Sequence, residues 1–240
     1  MIGRRKIRFD GDSEWVSISD LMSGLMVIFL FFAVSYMYDV QQNQKRIQRI
    51  AVAYRDLQTA LYEDLLHEFK DDLPRWKATL DRETLAIRFG EPDVLFQVGR
   101  ADVSSRFQDI LSDFFPRYIR IIASDTYREN VEEIRIEGHT SSEWLYHVTQ
   151  DEAYFLNMKL SQDRTRSVLH FCLDLLGERK NKIWVRGHIT ANGLSASQPI
   201  LTSDGHEDLV RSRRVEFRTR TNAEKKVVEI IQEMEGKSKR

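Results

Sequence analysis

The 240-residue sequence lacks the short motifs that mark common classes of enzyme. It has no glycine-rich phosphate loop, no G-x-S-x-G elbow and no H-E-x-x-H stretch, so no motif supports nucleotide or hydrolase chemistry. Acidic and basic residues nearly balance, with a net charge of −1, which gives no general attraction to nucleic acid. We therefore expect neither an enzyme nor a nucleic-acid-binding protein, and no cofactor.

Thiol and metal chemistry have little support either. Cys172 is the only cysteine, so an intrachain disulfide is excluded, and its neighbours Phe171 and Leu173 favour a buried structural thiol over a reactive one. His139 and His188 each follow a glycine at a predicted strand end, but no cysteine or third histidine stands beside them. We expect no metal site.

The sequence does contain one long apolar run, residues 16–38, with Trp15 before it and Tyr36 and Tyr38 at its end. As a helix, its roughly 23 residues would extend about 34 Å, against a hydrocarbon core of about 30 Å. The run is longer than the apolar region of a signal peptide. We predict an uncleaved transmembrane helix at residues 15–38.

One acidic residue, Asp20, lies inside this run. A carboxylate costs about 2.5 kcal/mol or more to insert into a bilayer, and acidic residues that persist there usually carry an ion or a proton. Ser17 and Gly24 share a helical face with Asp20, and Ser23 lies close by. We predict that Asp20 carries an ion, with Ser17 and Ser23 beside its path. The alternatives are that Asp20 lies at a shallow depth or caps the start of the helix.

Basic residues on both sides of the run bear on its orientation. The N-terminal group is Arg4, Arg5, Lys6 and Arg8, and the group that follows the run is Lys45, Arg46 and Arg49. The second group weakens the contrast, but the first lies within the distance at which positive charge sets topology. We expect residues 1–14 in the cytoplasm and the bulk of the chain exported.

Residues 41–72 predict a continuous polar helix, within a linker that we place at 39–78. Apolar residues from Ile47 to Leu65 recur at spacings of three and four, which fits a short parallel coiled coil or a helix packed on a partner. The alternative is an amphipathic helix that lies on its own domain. Pro74 marks the end of the helix.

Beyond residue 79, strand and helix patterns alternate. The predicted elements are strands at 80–89 and 94–98, a helix at 107–122 broken or kinked at Pro116, a strand at 131–137, a helix at 157–177, and strands at 182–186 and 215–219. This alternation predicts an α/β sandwich domain at 79–221, with one sheet covered by helices on a face. A charged amphipathic helix is expected at 222–240.

Four motifs in this region resemble, in order and spacing, the OmpA-like peptidoglycan-binding domain. They are IRIEGHT at 134–140, NMKLSQDR at 157–164, VRGH at 185–188 and RRVEF at 213–217. A membrane helix with an acidic residue near its start, placed before such a domain, resembles the MotB-type stator subunits. The segment WVSISDLMSGLM at 15–26 is more similar to ZorB, the corresponding subunit of the Zorya antiphage defence system, than to flagellar MotB.

The resemblance implies a pocket for the diaminopimelate-containing stem peptide of peptidoglycan. In this sequence the matching positions are Asn157, Leu160, Ser161, Arg164, and Arg213 or Arg214. Arginine suits such a site, because a guanidinium can hold a carboxylate through two parallel hydrogen bonds.

One position departs from the resembling family. The family usually has aspartate after Gly-His-Thr, to pair with the ammonium group of the ligand, whereas this sequence has Ser141. Either Glu143 takes this role, or a loop at 144–155 supplies Asp151 or Glu152, or wall binding is weaker or altered.

The resemblance also implies partners and a location. MotB-type subunits form a homodimer inside a pentamer of polytopic MotA-like or ZorA-like subunits, in the bacterial inner membrane with the C-terminal domain in the periplasm. An ion-driven, wall-tethered stator follows as the predicted function. A passive cell-wall anchor and a flagellar stator are the alternatives, and the choice between proton and sodium and between a plug and a stalk for the linker stays open.

Overall fold

The structure is a computed structural model that describes residues 11–90, 95–144, 148–177 and 181–222. It forms two compact units, of which the first ends at Val52 and the second begins at Ala53. Residues 1–10 of the predicted cytoplasmic segment, and all but Asn222 of the predicted C-terminal helix, lie outside the described residues.

The first helix, α1 (Gly11–Phe69), is 59 residues long and joins the predicted transmembrane helix and the predicted linker helix without a break. No proline interrupts it, since the first proline of the sequence is Pro74. From Ile18 it is long and apolar enough to cross a membrane, with a mean hydropathy of 2.0 over 18 residues, and none of that window is buried. The predicted long apolar helix is therefore confirmed.

The C-terminal part of α1 belongs to the core of the second unit. Leu61, Leu65 and Phe69 are buried there, so this end of the apolar seam packs on its own domain rather than on a partner. Polar contacts reinforce the packing, because the Arg117 guanidinium donates 2.8 Å hydrogen bonds to the carboxylates of Glu68 and Asp72. The α/β domain thus takes its first core residues from the helix that precedes it.

The remaining elements follow in an alternating order. They are α2 (Leu73–Trp76), β1 (Ala78–Leu80), β2 (Ala86–Phe89), α3 (Ser105–Ile122), β3 (Val131–His139), α4 (Gln150–Leu175), α5 (Asn181–His188), β4 (Ile189–Gly193), α6 (Leu209–Ser212) and β5 (Arg214–Thr221).

The five strands form one mixed sheet in the order β1-β2-β5-β3-β4. All neighbours are antiparallel except β3 and β4, which run parallel with Ile134 opposite Ile189. A parallel pair needs a crossover connection, and α4 and α5 lie between these two strands in the chain. The predicted α/β sandwich is confirmed.

The helices cover one face of the sheet. On that face Ile136 pairs with Phe217, whose ring lies 5.1 Å from that of Phe114 on α3. Two residues along, a Cβ atom on Gly138 would lie 2.6 Å from the Thr165 side chain of α4. Cross-strand partners share a face, so α3 and α4 pack on the same side of the sheet. Cys172 is fully buried in this layer, as its apolar neighbours predicted.

The strand predicted at 182–186 is wrong, because these residues belong to α5 and the strand follows as β4. Ile183 and Val185, two positions apart, would share one face of a strand. In the structure Val185 is fully buried and Ile183 is 84% exposed, as expected when a helix turns them to opposite sides. The alternation of two apolar residues was too short to decide between helix and strand.

Three further boundaries differ from the prediction. Helix α4 begins at Gln150 rather than near 157, since Thr149 and Glu152 form a capping box that starts it. Helix α3 continues through Pro116, and its buried apolar face outweighs the one hydrogen bond that the proline removes. In place of a strand at 94–98, Phe96 makes only an isolated bridge with Val103, and Val94 lies outside the described residues.

Candidate functional site

Asp20 lies on α1 within the apolar stretch, and its side chain is exposed, like those of its neighbours. Leu21 and Met22 are 73% and 61% exposed, so apolar surface lies beside the carboxylate. The Ser23 hydroxyl donates a hydrogen bond to the Ser19 carbonyl at 2.7 Å. The lone pairs of the Ser23 oxygen can still accept a hydrogen bond or contact a cation. The side chain of Ser17 lies outside the described residues.

The second unit contains a cavity of about 140 Å³ at the end of β3. Four segments meet there: residues 96–99, the residues that follow β3, the N-terminal half of α4, and the junction of α6 with β5. The lining side chains are Phe96, Val98, Gly99, Thr140, Ser141, Glu143, Trp144, Asn157, Leu160, Arg164 and Arg213. Four of the six residues predicted to bind the stem peptide therefore line one cavity, namely Asn157, Leu160, Arg164 and Arg213.

Arg164 supplies a buried positive charge in the cavity wall, with only 9% of its surface exposed. Its Nε atom donates to the Arg100 carbonyl at 2.9 Å, and its guanidinium carbon lies 4.8 Å from the centre of the Phe96 ring. Burial, and then the charge of Arg213, lower the pKa of Arg164 to about 10, so it stays charged at neutral pH. Within the described ranges no carboxylate lies within 4.0 Å of it, so the cavity holds a cation able to accept an anionic ligand.

The structure separates the two candidate arginines at the start of β5. Arg213 lines the cavity and is held by one hydrogen bond, from its Nε atom to the Leu209 carbonyl at 3.0 Å. Arg214 points to the other face of the sheet, where its Nε atom lies 2.6 Å from Glu216 Oε1, and it is not among the residues that line the 140 Å³ cavity. Of the pair, Arg213 has the geometry for a ligand.

Ser161 has a structural place in the described fold. Its hydroxyl donates to the Met158 carbonyl at 3.0 Å and accepts the Ser195 amide at 3.1 Å, and only 1% of the residue is exposed. It therefore joins α4 to the loop after β4 and does not line the 140 Å³ cavity. Asn157, by contrast, lines it and donates to the Glu143 carbonyl at 3.2 Å.

The candidate acidic residues are not equivalent. Glu143 lines the cavity, and so does Ser141 at the position where the resembling family has aspartate. Asp151 and Glu152 lie in the first turn of α4 rather than in a loop, which corrects the prediction of a loop at 144–155. Glu152 accepts hydrogen bonds from the amide and hydroxyl of Thr149, both at 2.9 Å, and these lower its pKa and commit it to the helix cap.

Two parts of the site were not found from the sequence. One is the segment at 96–99, which carries Phe96 and Val98 into the cavity wall and overlaps the strand predicted at 94–98 without any sign of a role in the site. The other is Glu207, whose carboxylate accepts hydrogen bonds from Ser142, 65 residues away in the chain. Neither has a sequence signal, because both depend on how distant loops meet in the folded chain.

The opposite face of the sheet carries a buried charged cluster of Glu137, His139 and Glu216. Their oxygen and nitrogen atoms lie within 4.8 Å of one another, a spacing that a metal ion could share. However, Glu216 is already paired with Arg214 at 2.6 Å and Arg88 at 3.0 Å. A divalent cation would have to compete with these guanidinium groups, so the cluster is poorly suited to metal.

His139 is the unusual member of this cluster, because neither ring nitrogen has a hydrogen-bond partner among the described residues. Burial, followed by the charge of Arg214, lowers its pKa to about 4, so the ring is neutral near pH 7. Burial also tends to raise the pKa of Glu216, but the hydrogen bond and charge of Arg214 outweigh it and the pKa falls. His188 lies on α5, where the centres of its ring and of the Trp184 ring are 4.4 Å apart.

Two known proteins are similar to this chain in sequence. The chain is 45% identical over 234 residues to Zorya protein ZorB of Escherichia coli strain Crooks, covering 97% of this chain and 99% of that protein. A Zorya protein ZorB from a second Escherichia coli strain is 26% identical over 223 residues, covering 90% and 84%. No profile of a known protein family matches the sequence.

Among solved structures, a MotB-like protein from Desulfovibrio vulgaris superposes with a TM-score of 0.48 and 22% identity, covering 71% of this chain and 98% of that one.

Proposed function

Because the chain belongs to the family of Zorya protein ZorB, we propose that it is the wall-tethered stator subunit of an ion-driven motor that acts in antiphage defence. The observation that carries the proposal is Asp20, a carboxylate set in a fully exposed apolar stretch of α1. Such a stretch needs lipid or partner helices around it, and a carboxylate there is costly unless it has a function. A passive anchor has no need of this residue.

In the proposed mechanism Asp20 alternates between a charged and a neutral form. The charged carboxylate attracts an ion, which we propose is a proton. Protonation neutralises the carboxylate, so that polar groups of a partner no longer hold Asp20 in place. The Ser23 hydroxyl, which already donates to the backbone, can accept a hydrogen bond from the protonated acid. Each cycle would let a surrounding ring of partner subunits move past the helix by one step.

The partners follow from the stator arrangement of MotB-type subunits. We propose a homodimer of this chain inside a pentamer of ZorA-like membrane subunits. The two copies of Ile47 and Ile50, which are only partly buried on α1, are available for a contact between helices. The N-terminus would lie in the cytoplasm and the α/β domain in the periplasm, as the basic residues before the apolar run favour.

The cavity of the second unit supplies the proposed attachment to peptidoglycan. Arg164 and Arg213 line one part of it and can hold a carboxylate of the stem peptide through charge-assisted hydrogen bonds. Asn157 and Leu160 would contribute an amide and an apolar surface. We assign the contact with the ligand's ammonium group to Glu143, because it lines the same cavity whereas Glu152 is committed to its helix cap.

The experiment compares two carboxylates of the same helix. Asp20→Asn keeps the size of the side chain and removes its charge, and Asp39→Asn makes the same change at an exposed position beyond the apolar run. Each variant is co-purified with the partner subunit and reconstituted in liposomes, and proton flux is measured with and without sodium. We expect Asp20→Asn to assemble normally and lose flux by at least tenfold, and Asp39→Asn to retain it.

Phage protection in cells is the second measurement. Protection at normal protein levels with Asp20→Asn would exclude an ion-driven stator and leave the passive anchor. If flux occurs only when sodium is present, the protein is still an ion-driven stator, but its ion is sodium rather than the proton.

A further inference from the structure

Glu207 is hydrogen-bonded to the loop that follows β3. Its carboxylate accepts hydrogen bonds from the Ser142 amide, at 3.1 Å and 3.3 Å to its two oxygens, and from the Ser142 hydroxyl at 2.5 Å. Ser142 lies between Ser141 and Glu143, which both line the cavity next to it. Glu207 does not line the cavity itself.

The segment that carries Glu207 is well ordered by its own hydrogen bonds. The Thr202 amide donates to the His206 carbonyl at 2.8 Å, and the Asp208 amide donates to the Ile200 carbonyl at 2.8 Å, which forms a tight hairpin. Gly205 takes a φ of +83° at its turn, a conformation that favours glycine. The carboxylate of Glu207 is therefore presented from a fixed support.

The same segment leads directly to the cationic side of the cavity. Asp208 caps α6 by accepting the amides of Val210 and Arg211, and Arg213 directly follows the last residue of α6. The hydroxyl of Ser212 accepts the Ile200 amide at 2.9 Å and ties α6 back to the hairpin. One stretch of the chain thus holds Arg213 and, through Glu207, the loop that carries Glu143.

Among the described residues, two other hydrogen bonds hold that loop. The Thr140 amide donates to the Ser195 carbonyl at 2.9 Å, and the Glu143 carbonyl accepts from Asn157 at 3.2 Å. Ser142 and Glu143 are both exposed, so packing contributes little to their position. The hydrogen bonds from Ser142 to Glu207 are the charge-assisted members of this set, and such bonds are the stronger ones.

We propose that Glu207 is a positioning residue for the wall-binding cavity. It fixes Ser142 and so holds the Glu143 carboxylate in one position relative to Arg213. The cavity can then bind the positive and the negative group of one ligand at the same time. The inference rests on the proposed wall-binding function. Loss of the hydrogen bonds between Ser142 and Glu207 lowers the fraction of chains whose loop can bind the ligand, and the apparent affinity falls by the same factor.

The test uses the full chain, purified in detergent, and purified sacculi whose stem peptides contain diaminopimelate. Binding is measured by co-sedimentation across a range of sacculus concentrations. Glu207→Ala removes the hydrogen bonds to Ser142, Glu207→Gln keeps an acceptor without the charge, and Glu63→Ala removes an exposed acid on α1 as a control for the change of charge. We expect roughly tenfold weaker binding for Glu207→Ala, an intermediate loss for Glu207→Gln and no change for Glu63→Ala.

Hydrogen exchange at the Ser142 amide separates positioning from general stability. We expect exchange at this amide to quicken at least tenfold in Glu207→Ala, with the thermal midpoint unchanged. Unchanged Ser142 exchange, or unchanged binding despite faster exchange, would overturn the inference. If the wild-type chain does not bind sacculi at all, the proposed wall attachment fails and Glu207 loses its role in binding, while Ser142 exchange still decides whether it holds the loop.

Discussion

The backbone amide of Gly193 donates a 2.8 Å hydrogen bond to the Gln162 side-chain oxygen, and a Cβ atom on Gly193 would lie 2.3 Å from the Gln162 backbone nitrogen. The Gln162 amide group also donates to the Ala191 carbonyl at 3.1 Å. The end of β4 and the middle of α4 are thus in contact backbone to backbone. This contact fixes the distance between the sheet and α4, the helix that carries Leu160 and Arg164.

We predict that Gly193→Ala destabilises the fold by about 1–3 kcal/mol or more, since a methyl group has no space unless α4 moves away from the sheet. Gly187→Ala is the matched control, because no atom lies within 4 Å of its Cβ position and it lies within α5. There alanine should be neutral or stabilising by up to about 1 kcal/mol. Thermal unfolding of the purified chain, followed by near-ultraviolet circular dichroism, measures both, and equal midpoints for the two variants would contradict the close contact.

A second prediction concerns acid sensitivity. In the folded chain the pKa of His139 is about 4, below its ordinary value of 6.5, because the ring is buried and lies near Arg214 and Arg88, which Glu216 only partly offsets. The unfolded chain binds a proton between these two values and the folded chain does not, so folding is less favourable as pH falls. The contribution of His139 is fully present above pH 6.5 and is lost towards pH 4, on the order of 3 kcal/mol.

The variant His139→Leu tests this assignment. Its unfolding free energy should lie within about 1 kcal/mol of wild type at pH 7.5, since neither ring nitrogen has a described hydrogen-bond partner to leave unpaired. At pH 4.5 the variant should be clearly more stable than wild type. Urea unfolding at both values measures the difference, and parallel loss of stability in the two proteins would assign the acid sensitivity to other groups.

The sequence allowed much of the fold to be predicted because its patterns are local. The apolar run, the helical spacing of apolar residues in α3 and the alternation in β3 and β5 each specify an element without reference to the rest of the chain. The region at 182–186 failed because two apolar residues two apart fit either a strand or a short helix. The strand is the segment that pairs with β3, and in the structure Ile189 rather than Val185 lies opposite Ile134.

The candidate site was predictable only where motifs lie on regular elements. Asn157, Leu160 and Arg164 were implied by the resemblance of the motif at 157–164 to the OmpA-like domain, and in the structure they line one cavity. The choice between Arg213 and Arg214 depends on which face of the sheet each one meets, which neighbouring positions cannot reveal. The contributions of Phe96, Val98 and Glu207 arise from loops far apart in the chain, where no local pattern records the contact.

The last prediction tests the cavity as the wall-binding site. Arg164→Ala combined with Asn157→Ala removes a buried cation and an amide that line the cavity, and we expect binding of the full chain to sacculi to fall at least tenfold. Arg166→Ala is the matched control, because this arginine of the same helix has a side chain 75% exposed and pairs with Asp163 at 3.2 Å on the surface. Co-sedimentation measures all the proteins.

The two arginines differ in where they point rather than in charge, so the comparison distinguishes a specific site from general attraction between a basic surface and an anionic wall. Equal losses for the double variant and Arg166→Ala would indicate that general attraction. Full binding by the double variant would reject the cavity as the attachment site. Because Arg164 also packs on Phe96, Arg164→Lys provides a version that keeps the charge but not the two parallel hydrogen bonds, and it should bind more weakly than wild type at an unchanged thermal midpoint.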